Sequence, residues 1–136
     1  MNSTRLNKSI LIVAGIIMLV VGFGILFVPF SFHAGVGLML DHDAVLLNEL
    51  RSPGGALLVA GVVVVVGAFR AGLGYPAMML AFVVYMSYGL SRIVSFALDG
   101  LPGAGLMQVT VLEIVMGLIC GFALWQNRAK RSAIAQ

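Results

Sequence analysis

Charge is scarce in this chain. Only 10 % of its 136 residues are Asp, Glu, Lys or Arg, against roughly 25 % in an ordinary soluble domain. One small soluble domain has more surface than so few charges can cover. That excludes a soluble globular enzyme, and a hydrophobic content of 61 % excludes a disordered chain. Cysteine is almost missing: Cys120 stands alone inside an apolar run. No intramolecular disulfide, CxxC relay or Cys-rich zinc site can form, and the residue reads as a small packing element. Histidine occurs only at His33 and His42. In Asp41-His42-Asp43 the side chains alternate and do not converge on a helix, and no third ligand has metal-binding spacing. Haem would need histidines within facing helices, and neither is placed so. The reading is therefore solvated or interfacial histidines, no metal and no cofactor. P-loop, GxSxG and HExxH motifs are all absent.

What the chain does have is long uncharged stretches. None of its charges lies between Lys8 and Asp41, between Arg51 and Arg70, or between Arg70 and Arg92. A spanning helix needs about 20 mainly apolar residues, because the hydrocarbon core is ~30 Å thick and each residue rises ~1.5 Å. The chain is thus expected to be an all-α integral membrane protein, a single domain built as a bundle of four transmembrane helices at about 9–30, 53–69, 76–98 and 104–125. The first is too long for a signal-peptide core and lacks a clear cleavage site, so it reads as retained. Between the first two spans, Asp41 and Asp43 favour a helix start. Ala44 to Leu50 supply apolar surface, which predicts a short interfacial helix at about 41–50. Ser52-Pro53 then reads as N-cap and first residue of the second span. The valine run Val62–Val66 would favour strand in water, but a lone strand in lipid leaves its backbone groups unpaired, so helix is expected. Asp99-Gly100-Leu101-Pro102-Gly103 reads as a turn, and Trp125 as an interfacial residue at the end of the last span.

The net charge of +3 and pI near 9.5 have a simpler source than nucleic-acid binding. Arg5, Lys8, Arg70, Arg128, Lys130 and Arg131 all fall on one side of such a bundle, with Arg51 alone on the connections opposite. That asymmetry predicts both termini in the cytoplasm, a multi-pass protein of the cytoplasmic (inner) membrane, and no nucleic-acid partner. The tail Arg128, Lys130, Arg131 is read as solvated.

Two charges do not fit a flanking role. Arg92 lies ~9 Å from the outer end of the third span, and Glu113 ~14 Å into the fourth, at ~1.5 Å per residue. A central charge costs at least ~2.5–3.5 kcal/mol on the insertion scale. Helices joined by a short turn are antiparallel neighbours, so the pattern predicts an Arg92–Glu113 pair facing the interior. Tyr85, Tyr88, Arg92, Ser95 and Asp99 share one stripe about 80° wide at ~100° per residue, and Thr110, Glu113, Gly117 and Cys120 share another. Together with Glu49 and Arg51 just before the second span, these residues define a candidate polar pocket in the outer half: Arg92, Glu113, Tyr85, Tyr88, Ser95, Asp99, Glu49 and Arg51. The same charges could instead serve only to compensate one another and fix helix register. Gly117 and Gly121 form GxxxG, and Ser87, Ser91 and Ser95 form small-xxx-small, both of which permit close helix contact.

Asn48-Glu49-Leu50-Arg51 with Gly54-Gly55, Gly67-Ala68-Phe69-Arg70, Gly89-Leu90-Ser91-Arg92 with Ser95 and Asp99-Gly100-Leu101-Pro102, and Glu113 resemble a bacterial family of small four-helix membrane proteins catalogued as domain of unknown function 4345. The resemblance runs from the first helix to the fourth. It implies a bacterial membrane origin and a four-helix architecture, and it brings no catalytic residue. Three functions stay open at this point. The favoured one is a non-enzymatic bundle that binds a lipid-like or small polar ligand, or a partner helix, near Arg92 and Glu113. The second is a small dimeric transporter in which Glu113 carries a proton, its dimer face supplied by GxxxG. The third is a lipid-modifying enzyme, for which no nucleophile or metal site stands out. The expected partners are membrane lipids, with a further copy of the chain or another membrane protein as alternatives.

Overall fold

The structure, a computed structural model, describes residues 5–134, and side chains as far as residue 127. The described residues form helices and no strand: α1 (Arg5–Phe27), α2 (Pro29–Ala34), α3 (Ala44–Phe69), α4 (Gly74–Asp99) and α5 (Ala104–Ile134). Four of them, α1, α3, α4 and α5, are long and apolar enough to cross a membrane. At ~1.5 Å per residue, the 23 residues of α1 reach about 35 Å, more than the ~30 Å of hydrocarbon. Only about a third of each span is buried within the bundle. Val20, Val59, Leu118 and Phe122 are among the large apolar side chains left exposed, as a multi-pass membrane protein requires on its lipid-facing side.

Backbone chemistry accounts for the breaks, and two of them differ from the expected positions. The first span stops at Phe27, because Val28 precedes Pro29 and is pushed out of the helical region (φ −130°, ψ 52°). Pro29 then opens the six-residue α2, whose first two residues were expected to end the first span and whose last four were expected in the connection. The separate interfacial helix expected at 41–50 is not seen: residues 44–50 are the first turns of one continuous α3. Asp43 caps that helix, its carboxylate accepting from the backbone N–H of Val45 (2.7 Å) and Leu46 (3.0 Å), where the helix dipole favours a negative charge. Pro53 therefore sits inside the helix instead of starting it. Proline is tolerated within membrane helices because neighbouring groups can satisfy the backbone it frees. The start of α4 lies within two residues of its expected position, and α5 starts at Ala104 as expected. The Arg128, Lys130 and Arg131 side chains lie outside the described residues.

The spans pack as two antiparallel pairs. In the α1–α3 pair, Gly15 faces Gly61 and Val65, and Gly22 faces Gly54 and Leu58. A Cβ on Gly22 would lie 2.5 Å from the Leu58 backbone nitrogen, and one on Gly61 would lie 2.9 Å from that of Leu19. Backbones this close maximise dispersion contact, which drives helix association in lipid where burial of apolar surface does not. In the α4–α5 pair, larger side chains cover the glycines: Ile114 lies on Gly89, Met86 on Gly117 and Phe82 on Gly121. The GxxxG face of α5 is thus used inside the bundle, against α4, and is not a free surface for a second copy. Ser87, Ser91 and Ser95 point outward and are exposed.

Links between the pairs are unevenly distributed along the axis. At the end carrying Arg5, Lys8 and Arg70, Asn7 of α1 donates to Asn127 of α5 (3.3 Å), Lys8 lies over the Phe69 ring (4.4 Å) and Gly67 of α3 closes on Ala77 of α4. Near the middle, the buried Tyr85 hydroxyl donates to the Ala14 carbonyl of α1 (2.7 Å). At the opposite end the connection through α2 and residues 35–43 lies over the seam, with Val36 backbone against Gly105 of α5. Gly37 turns that connection with a positive φ of 85°, a conformation that favours glycine.

Candidate functional site

Arg92 and Glu113 meet as their depths predict. Arg92 Nε donates to Glu113 Oε2 at 2.8 Å, and Nη2 donates to Oε1 at 3.3 Å, a bidentate fork. The two side chains are 28 % and 11 % exposed, so the charges are withdrawn from solvent but not sealed. Gly89, one turn before Arg92, allows α5 to approach at Ile114, which brings Glu113 within reach of the guanidinium.

The pair stands on the wall of a partly open cavity of about 550 Å³ between the two helix pairs. The wall is mainly apolar, with side chains such as Met18, Val21, Leu57 and Val109 contributed by α1, α3 and α5. Arg92, Glu113, Tyr85, Tyr88 and His33 are the polar residues on it. Towards the end opposite Arg5 and Arg70, Val36, Gly37 and Leu38 of the connection join Pro102 and Gly103 in lining it.

The eight residues of the sequence-predicted pocket therefore divide. Arg92, Glu113, Tyr85 and Tyr88 share the cavity wall. Tyr85 is nearly fully buried, with its hydroxyl committed to Ala14; it joins helices and contributes mainly ring surface. Tyr88 is half-buried. Ser95 and Asp99 do not reach the cavity. They are exposed, and the Ser95 hydroxyl donates to Asp99 Oδ2 at 2.9 Å, one turn along the same helix. Glu49 and Arg51 are exposed too and lie off the wall, although Leu50 and Pro53 belong to it. The reason is angular: in a helix continuous through Pro53, adjacent residues lie ~100° apart, so Leu50 turns inward while its two neighbours turn out.

His33, expected as a solvated or interfacial residue, is a further polar group on the wall. It is half-buried. Its Nδ1 donates to the Pro29 carbonyl at 2.8 Å, since a carbonyl can only accept, which leaves Nε2 as the free ring nitrogen. The signal in the sequence was a lone histidine in the apolar segment after Pro29, but the fold of the connection was needed to turn it inward. His42 is exposed and stacked on Phe30 at 4.4 Å. No group of His, Cys, Asp and Glu among the described residues could hold a metal ion, and Cys120 is buried and reduced in α5.

A family model with the description "Domain of unknown function (DUF4345)" matches residues 6–124. No curated protein and no solved structure matches the chain.

Proposed function

We propose, for a chain that belongs to the DUF4345 family, that the bundle is a non-enzymatic binder of one small amphipathic molecule, held in the cavity between its helix pairs with the polar end at Arg92 and Glu113. One observation carries this reading: a cavity of about 550 Å³, apolar along most of its wall, whose polar residues are a paired arginine and glutamate, Tyr85, Tyr88 and His33. Ligand sites have volumes of about 300–1,000 Å³, apolar walls and a few convergent polar groups. Ionisable groups at membrane depth mark functional positions often enough to weight the reading. The proton-carrier alternative for Glu113 relied on a dimer through Gly117 and Gly121, and those glycines pack on Met86 and Phe82 within the chain. The lysine and arginine asymmetry supports an orientation with both termini in the cytoplasm. The family resemblance supports a bacterial inner membrane as the location, with lipids around the bundle as the first partners.

The test is retention. Full-length protein is extracted in mild detergent and its bound small molecules are identified by mass spectrometry, beside a Leu106→Trp variant that fills the cavity. A molecule retained by the parent and lost by the variant, with helicity unchanged, is the expected result. Equal retention by the two proteins, or none by either, would refute the assignment.

A further inference from the structure

The polar wall of the cavity has a property that narrows its ligand, given the binding reading above. It carries one formal positive charge and one formal negative charge, and these are already joined. The remaining polar atoms are groups of mixed donor and acceptor character. Arg92 spends Nε and one Nη2 hydrogen on Glu113, which leaves other guanidinium N–H groups. The Tyr88 hydroxyl has no hydrogen bond to another described residue, and His33 keeps Nε2 after its Nδ1 is bound.

An anionic headgroup meets an obstacle here. To reach the Arg92 fork it must displace or crowd Glu113, which is 8 % exposed as a residue. A carboxylate left buried without its cation is heavily penalised. A cationic headgroup meets the same obstacle at Arg92. An uncharged group such as a hydroxyl leaves the pair intact: it accepts from a spare Arg92 N–H and donates to Tyr88, and His33 Nε2 is a further acceptor on the same wall. The volume limits the rest of the molecule. The 550 Å³ cavity lies within the range of about 300–1,000 Å³ that holds one small ligand, which suits one alkyl or isoprenoid-like chain with a small head.

We infer that the cavity selects single-chain amphiphiles with an uncharged, hydrogen-bonding head, and that the Arg92–Glu113 pair is the element that rejects anions. The experiment uses full-length protein in neutral detergent and two probes, a long-chain alcohol and the alkyl sulfonate of the same chain length, each titrated against a fluorescent occupant of the cavity. The alcohol is expected to bind at least about tenfold more tightly, a difference of about 1.4 kcal/mol. Glu113→Gln frees the guanidinium and should reverse the order, while Asp99→Asn, outside the cavity, should leave the ratio alone. Equal binding by the parent protein, or tighter binding of the sulfonate, overturns the selectivity and leaves the binding site standing. Failure of both probes to compete, or competition by bulk phospholipid alone, overturns the binding reading as well. The parent protein's own preference decides the matter even if Glu113→Gln does not fold.

Discussion

The α1–α3 interface and the seam between the helix pairs solve the same problem in opposite ways. In α1–α3, glycines bring backbone against backbone, with Gly22 on Leu58 and Gly61 on Leu19 and no room for even a methyl group. Across the half of the seam away from Arg5 and Arg70 the helices part, and the space is a cavity with an ion pair on its wall. The first arrangement relies on many weak dispersion contacts, each worth only ~0.1–0.2 kcal/mol. The second places two costly charges where their mutual attraction compensates them, on the wall of a partly open cavity. Close glycine packing holds α1 to α3, so the Arg92–Glu113 pair is not needed for cohesion of those two helices. Its value lies in the seam.

The largest break in this contrast should come from the charged side. Arg92→Met leaves Glu113 buried without a partner, and breaking a buried pair costs about 3–5 kcal/mol; with Arg92 28 % exposed, the lower end is expected. Arg92→Met combined with Glu113→Leu should recover most of that loss if the pair is tuned for binding and not for stability. Reversible unfolding in mixed micelles measures both. Next comes the packed side. Gly22→Ala drives a methyl group into the Leu58 backbone, 2.5 Å from its nitrogen. Backbone cannot rotate aside, so a loss of about 1–3 kcal/mol is expected from the same unfolding measurement. Tyr85→Phe removes the hydroxyl that ties α4 to the Ala14 carbonyl, a loss of about 0.5–1.5 kcal/mol, read as a lowered thermal midpoint by circular dichroism. The smallest effect serves as a control. Gly55 lies beside the packed glycines yet would place a Cβ in open space, so Gly55→Ala should be neutral or stabilise by up to about 1 kcal/mol. If Gly22→Ala and Gly55→Ala behaved alike, the close-packed description of α1–α3 would be wrong.

Much of the fold was legible because hydrocarbon is a strict solvent. Uncharged runs had to become helices, and the depths of Arg92 and Glu113 on helices joined by a short turn had to bring them level. Other features depended on competition between local signals. Ser52-Pro53 is a good helix start, but Asp43 supplies a working N-cap nine residues earlier. The helix therefore forms from there and carries Pro53 inside it. Asp99 shares the stripe of Arg92, yet at the last turn of α4 the stripe has left the bundle, and its partner is Ser95 on the same helix.

The sequence by itself determined that this protein has four helices long and apolar enough to cross a membrane, and that Arg92 pairs with Glu113. Each of these follows from the cost of placing charge or unpaired backbone in hydrocarbon, and that cost depends on position along the chain alone. Only the tertiary structure decided which glycines would touch, that GxxxG would serve α4, and that His33 would turn onto the cavity wall. Those outcomes depend on which helix face meets which neighbour, a matter of packing between segments distant in sequence. The cavity is the clearest case: it is a space left between two pairs, and no residue encodes it alone.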